Sequence, residues 1–303
     1  TQGLEWQNNW QLGPHQHVTA GAEWTEDMGP NYEAHYIDKK RHNRAVYAED
    51  ALNFGKWTVT PGLRIDDNST FGLHRTPRLA MNYKANDAFN VYASWGRVFS
   101  PPRLNDQFYV TSSSRGREDL QPEEGYTQTL GFQYQIHPKS YLEGSIFHSH
   151  LRHVIRWNRS VTPHEAENLD EEDKRGLELT WKQKVNDHWE WNAGYSYIHT
   201  RTDSGDGLVF DETYNQPNGY RAGVAYHSKK WQASVDMTAG TGRNDTYYSN
   251  NSYVVWNGSV SYAASKDTTI YGKINNINDE SYDLYHNYPA SGRNWQIGIQ
   301  KKF

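Results

Sequence analysis

The sequence predicts an all-β fold, a transmembrane antiparallel β-barrel of about fifteen strands that takes in residues 1–303 as one domain. Three observations predict it. Apolar and aromatic residues alternate with polar ones through most of the chain, and tight turns alternate with long polar connections between these stretches. The composition couples 12 Trp, 22 Tyr and 9 Phe to only 35% hydrophobic residues and a mean hydropathy of -0.98. Disordered chains lack aromatics. A thick apolar core would need more aliphatic residues, whereas a wall with one apolar and one polar face accommodates both facts.

Composition also excludes several classes. There is no cysteine, so neither a disulfide nor a thiolate metal site exists. A formal charge of -5 supplies no basic footprint for nucleic acid. No run of about 18 apolar residues is present to make a transmembrane helix. The first residues, T-Q-G-L-E-W-Q-N-N-W, have neither the basic nor the apolar segment of a signal peptide.

Taken in order, Leu4, Trp6, Trp10 and Leu12 share one face of a first strand. Gly13-Pro14 turns the chain, and Val18, Ala20, Ala22 and Trp24 follow. The pattern recurs around Trp57 to Ile65, Leu79 to Tyr83 and Phe89 to Phe99. It is cleanest at Tyr126, Leu130, Phe132, Tyr134 and Ile136, set against Thr127, Thr129, Gln133 and Gln135. It returns at Leu177 to Trp181, Trp189 to Tyr197, Tyr220 to Tyr226, Trp231 to Met237, Val254 to Tyr262 and Ile270 to Asn276. The last strand places Trp295, Ile297, Ile299 and Phe303 on one side and is read as the seam of the barrel. Every second connection is tight: near Gly13, Gly55, Asn86, Pro138, Asn186, Ser228 and Lys266. The others, 25–43, 66–74, 100–123, 158–173, 200–217, 240–251 and 279–292, are read as long polar loops. Short turns on one rim and long loops on the other describe an outer-membrane barrel, with the short turns periplasmic.

Three stretches carry a family resemblance. W-G-R-V-F-S-P-P at 95–102, followed by E-D-L-Q-P-E-E at 118–124, resembles the paired box of the TonB-dependent outer-membrane receptors. Arg175-Gly176-Leu177-Glu178 is similar to that family's G-x-E strand opening. Asn276-Ile277-Asn278-Asp279 with Tyr282, Tyr288-Pro289 and Gly292-Arg293 resembles its C-terminal signature. The resemblance implies a bacterial outer-membrane location and TonB-linked uptake of a metal chelate, chiefly a ferric siderophore. It also implies a twenty-two-stranded barrel around a plug, of which this chain would be the C-terminal part, with the plug and the segment that meets the TonB complex absent. Lys301 departs from the family pattern, standing where an aromatic or apolar residue is usual.

On that resemblance the candidate ligand contacts are loop aromatics and arginines: Tyr109, Arg115, Arg117, Tyr214, Tyr247, Tyr248, Tyr282, Tyr285 and Tyr288. Aromatic faces and guanidinium groups suit a flat anionic chelate. The competing reading places these tyrosines in an aromatic girdle or in loop-to-loop packing. His148 and His150, two apart on a strand, are weak metal candidates, against which stands a polar lumen or rim position with no third ligand fixed by spacing. The haem-carrying members hold a ligand His between the two boxes, and none lies between Pro102 and Glu118. The acidic run Glu167 and Asp170 to Asp173 lacks the pattern of a calcium loop and reads as a solvated loop. No resident cofactor is implied. No nucleophile–base set or G-x-S-x-G stretch supports an enzyme. The partners expected are the chelate, the TonB complex and outer-membrane lipid. The alternative function is a passive outer-membrane pore or structural barrel.

Overall fold

The computed structural model describes residues 1–29, 31–32, 35–36, 38–211, 216–285 and 287–302. The strands in the first half are β1 (Gln2–Gln11), β2 (Gln16–Met28), β3 (Asn31–Tyr32), β4 (His35–Tyr36), β5 (Lys40–Phe54), β6 (Trp57–Asn68), β7 (Gly72–Lys84) and β8 (Phe89–Ser100). After the short helix α1 (Leu104–Phe108) come β9 (Ser114–Arg115), β10 (Glu123–His137), β11 (Ser140–Asn158), β12 (His164–Lys184), β13 (Trp189–Asp203) and β14 (Val209–Phe210). The chain continues through β15 (Asn218–His227), β16 (Trp231–Thr241), β17 (Tyr253–Ala263), β18 (Thr268–Asn275), β19 (Asp283–Tyr285), β20 (Tyr288–Pro289) and β21 (Asn294–Lys301).

Each long strand pairs antiparallel with the next in sequence, from β1–β2 through β18–β21, in one 17-stranded sheet that also holds the two-residue β9 and β14. The tight turns stand where glycine or Asx chemistry predicts them. Gly13 and Gly55 have φ of 112° and 61°, a region that a Cβ disfavours. At Asn86 and Asn186 the side-chain oxygen accepts the backbone N–H groups two and three residues on.

Two expected loops are largely strand. The β6–β7 ladder continues to Asn68↔Gly72, leaving only 69–71 as connection where 66–74 was expected. The β11–β12 ladder reaches Asn158↔Glu165, so most of 158–173 is strand as well. These segments are polar on both faces, which removes the alternation that betrays a strand while leaving the backbone ladder intact. For the same reason Arg175 to Glu178 lies in mid-strand and does not open β12. The sheet has two free edges among the described residues. β1 pairs only with β2 and β21 only with β18, so the last strand seals no seam here. Phe303, the aromatic expected on that strand, lies outside the described residues.

The alternation sorts the sheet into two faces. Pairs such as Leu4↔Trp24, Val46↔Ile65, Ile146↔Leu177, Val224↔Val235 and Ile270↔Ile299 form an apolar face that is largely exposed. Near the short-turn rim it carries a belt of ring pairs: Trp57–Tyr83, Phe89–Tyr134, Trp189–Tyr226 and Trp231–Tyr262, with centroids 4.5 to 5.4 Å apart. Lys301, paired with Thr268, stands at that same rim. On the polar face Arg64 binds both Glu23 and Asp66 at 2.9 Å, and Arg78 pairs with Glu49. Gly21, Gly131, Gly176 and Gly298 on this face lie under aromatic rings of the facing strand. Tyr47 covers Gly21, and its hydroxyl reaches across β2 to donate to Glu5 of β1 at 2.7 Å.

Candidate ligand-binding site

The long connections all leave one rim of the sheet, and the candidate residues fall into two neighbourhoods there. The first is built on the 101–122 connection. Pro102, Leu104, Gln107 and Leu120 are buried within it, which explains the two boxes physically. Pro102 of the first box and Leu120 and Pro122 of the second are buried at the ends of a loop that folds back on itself, Gly116 N–H donating to the Tyr109 carbonyl and Arg117 N–H to that of Asp106. The polar residues then tie that loop down. Trp157 Nε1 donates to Asp106, Gln121 N–H to Asn168 Oδ1, and Ile155 N–H to Glu123, while β9 pairs in parallel with the start of β12.

Within this frame Tyr109 follows α1 with its ring edge-on to Trp157 at 6.5 Å. Arg115 is exposed at the β9–β12 junction. Arg117 is held in a two-pronged pair with Asp119, at 2.9 and 2.5 Å. That pairing holds the Asp119 carboxyl below its ordinary range and raises the Arg117 guanidinium, so Arg117 is engaged before any ligand arrives.

The second neighbourhood joins the 242–252 and 276–293 connections. At its centre is Arg243, 1% exposed, a residue that sequence reading passed over. Its guanidinium lies 3.8 Å over the Tyr248 ring and 5.1 Å from that of Tyr253, and Nη2 donates to the Asp283 carbonyl at 2.6 Å. Nε and Nη1 are buried without a hydrogen-bond partner among the described residues. Tyr253 stacks on Tyr282 at 4.3 Å, and burial pushes the Tyr282 hydroxyl above its ordinary pKa. Two of the predicted contacts, Tyr248 and Tyr282, therefore pack the loops on one another. Tyr247 sits beside them, half-buried, in the turn begun by Asn244. Tyr285 and Tyr288 pair across the β19–β20 hairpin and are 66% and 67% exposed, the most open rings among the described candidates. Tyr214 lies outside the described residues. The signal for Arg243 was present in G-T-G-R, where Gly242 takes a φ of 77° and turns the next side chain under the loop.

The Asn276 to Asp279 stretch explains how this neighbourhood is anchored. β18 pairs with β17 only from Gly258 to Ala263, which leaves the backbone of 253–257 without a strand on that side. Ile277 N–H donates to the Trp256 carbonyl, and the Asn278 side chain bonds both Val254 O and Trp256 N–H. Buried Asn276, at φ 53°, spans Glu280 and Ser291. The motif substitutes for the missing ladder.

His148 and His150 are each engaged by other side chains. His148 shares the face of Ile146, the apolar side, which corrects the lumen position in its competing reading. Its Nε2 contacts Asp173 at 2.7 Å and its Nδ1 contacts Gln128 at 3.0 Å, so both ring nitrogens are engaged. His150 packs against Tyr126. No group of three His, Asp or Glu side chains able to hold a metal occurs among the described residues. The acidic run is strand, and its carboxylates hold basic side chains: Asp173 pairs with His148, Arg175 and Arg201, and Glu172 with Lys174.

Comparison with known proteins agrees with this architecture. The profile described as TonB dependent receptor-like, beta-barrel, matches residues 1–277. The Vitamin B12 transporter BtuB of Photobacterium profundum is 26% identical over 314 residues, covering 98% of this chain and 49% of the transporter. The chain thus spans about half the length of the curated relatives it matches. Among solved structures, the siderophore receptor PirA from Pseudomonas aeruginosa superposes with a TM-score of 0.79 at 22% identity, over 99% of this chain and 55% of that one. The copper transporter OprC gives a TM-score of 0.81 at 15% identity, over 99% and 56%.

Proposed function

Because the chain belongs to the TonB dependent receptor-like β-barrel family, whose members are transporters and receptors of the bacterial outer membrane and not enzymes, we propose that it forms part of the wall and ligand-capturing rim of a receptor for TonB-linked uptake of a metal chelate, with a ferric siderophore as the cargo. The observation that carries the reading is the rim itself. Two loop neighbourhoods set aromatic rings and arginines above a sheet whose apolar face suits lipid and whose polar face suits a water-filled or plugged lumen. In this reading Arg243, Tyr248, Tyr253 and Tyr282 are the rigid base of one loop pair, and Tyr285, Tyr288 and Arg115 are the open contacts. A flat anionic chelate stacks on exposed tyrosines and meets guanidinium charge. The free edges β1 and β21 are where the remaining strands of the full barrel join, and the plug and the TonB contact belong to the part of the protein outside this chain.

Cobalamin is the second reading. It is favoured by the named substrate of the transporter matched over 98% of the chain. The test is growth of a receptor-deficient strain carrying the full-length gene, supplied in turn with ferric siderophores, cobalamin and copper as limiting nutrient, with and without a functional TonB complex. Growth on a ferric siderophore that disappears without TonB is expected. Growth on cobalamin alone selects the second reading. TonB-independent leakage of every solute selects a passive pore and overturns both.

A further inference from the structure

Strands β7 and β8 separate partway along their length. Their ladder runs from Lys84↔Asn90 to Arg78↔Gly96 and stops. Beyond it β7 stays paired with β6 as far as Gly72, and β8 stays paired with β10 as far as Ser100. The parting opens a cavity of about 750 Å³, lined on its charged side by Arg75, Arg97, Arg152, His74 and His150 against a single carboxylate, Glu124.

That carboxylate is already engaged, since His74 Nδ1 lies 3.1 Å from it while the same imidazole stacks on Phe99 at 3.7 Å. Arg152 reaches Glu171 only at 3.6 Å. Arg75 and Arg97 are exposed and have no carboxylate within ion-pair distance among the described residues. Two guanidinium groups therefore face the cleft without an ion pair of their own among the described residues.

The cleft is lined from both parities, His74 and Thr76 coming from the polar side, and strand alternation fixes where its arginines stand. Arg75 follows the parity of Leu79, Arg97 that of Trp95, and Arg152 that of Ile146, so the arginines stand on the apolar face. They also stand on its long-loop side. About 7 Å further down β8, two residues from Arg97, begins a second recess, of about 400 Å³, lined by Leu79, Met81, Trp95, Leu130 and Ile146. A basic cleft thus continues directly into an apolar trough along the same strands.

We propose that this paired feature binds a phosphate-bearing lipid of the membrane leaflet on the long-loop side, its phosphate on Arg75 and Arg97 and an acyl chain in the trough below. The guanidinium fork matches phosphate oxygens in pairs, and the trough supplies the apolar contact that a free anion could not use. A chelate captured by the loops meets the polar face, whereas these arginines stand on the opposite one. The inference rests on the apolar face lying in lipid and is independent of which cargo is carried.

The test uses full-length protein, delipidated in detergent, titrated in native mass spectrometry with dioleoyl phosphatidic acid, dioleoyl phosphatidylcholine and inorganic phosphate. Phosphatidic acid is expected to bind in preference to phosphatidylcholine. The double substitution Arg75→Gln/Arg97→Gln should weaken it about 30-fold, about fivefold for each arginine, and equimolar inorganic phosphate should not displace it. A photoactivatable phosphatidic acid on the unsubstituted protein should label residues 72–100, which keeps the test open if the double variant folds poorly. Equal binding of both lipids, an unchanged double variant, labelling elsewhere, or displacement by inorganic phosphate each overturns the proposal. Insertion into phosphatidylcholine vesicles, measured alongside, separates the two failures. A protein that inserts but shows no preference loses only this inference, and one that does not insert loses the membrane reading beneath it.

Discussion

Replacing Leu130 by lysine tests which face of the sheet meets lipid. Leu130 is 49% exposed on the apolar face of β10, paired with Ala93 and Ile146. The apolar run on that face extends from Tyr126 to Ile136, interrupted by Gln128, a separation of ten residues. At about 3.4 Å per residue and a tilt of about 45° the run stands about 24 Å tall, close to the apolar band of about 25 Å of such barrels. Leu130 then lies within about 2 Å of its middle. A lysine at the midplane costs about 2 to 4 kcal/mol, which is about 30- to 700-fold in the folding equilibrium. Thr127 serves as the control. It is exposed on the polar face of the same strand, between Gly96 and Ser149, and Thr127→Lys should change stability by less than about 0.5 kcal/mol. The assay is urea unfolding of the full-length protein from phospholipid vesicles, followed by tryptophan fluorescence. Equal costs for the two variants, or a larger one for Thr127→Lys, would refute the assignment of faces.

Three further outcomes follow from the packing. Gly21→Ala would place a Cβ 2.5 Å from the Tyr47 ring and 2.7 Å from the Trp6 carbonyl; a loss of about 1 to 3 kcal/mol is expected in the same unfolding assay, partly recovered when Tyr47→Leu is added. Arg243→Ala removes the stacking on Tyr248 and the bond to Asp283, so amide exchange in 242–252 and 276–293 should accelerate by at least about tenfold, from the loss of one charge-assisted hydrogen bond of about 1.5 to 3 kcal/mol, while exchange in β10 and β11 stays unchanged. Tyr282 is half-buried, and desolvation there holds its folded pKa above the unfolded value of about 10. Its contribution to loop stability is therefore fully present below about pH 10 and is lost as pH rises through the raised pKa; an alkaline ultraviolet difference titration between the protein and Tyr282→Phe should place this one phenol later than the bulk tyrosines.

The extent to which the fold was legible follows from which forces set each part. Where one face must be apolar and the other polar, the strand period is written into the residues, and the fifteen long strands among the described residues match that reading, as do the connections other than 69–71 and 159–163. Where the ladder runs on with polar residues on both faces, as at Asp66 to His74 and Asn158 to Asp173, nothing in the side chains marks it, and loops were expected in place of strands. Among the candidate contacts, Tyr285 and Tyr288 stand open on a hairpin, while Tyr248 and Tyr282 are drawn into packing around Arg243. A loop's length and aromatic content are visible in a sequence; which ring turns inward depends on neighbours brought from 30 or more residues away, as Asp283 is to Arg243.

By itself the sequence determined the periodicity, the two rims and the family motifs, because these depend on a residue and its near neighbours. Tertiary structure alone decided that the loop between the two boxes folds on itself, that Asn276 to Asp279 replaces a stretch of missing ladder, and that β7 and β8 part to leave Arg75 and Arg97 without an ion pair among the described residues. Each of these is a question of where backbone hydrogen bonds and charges find partners, and those partners are set by strand register across the sheet.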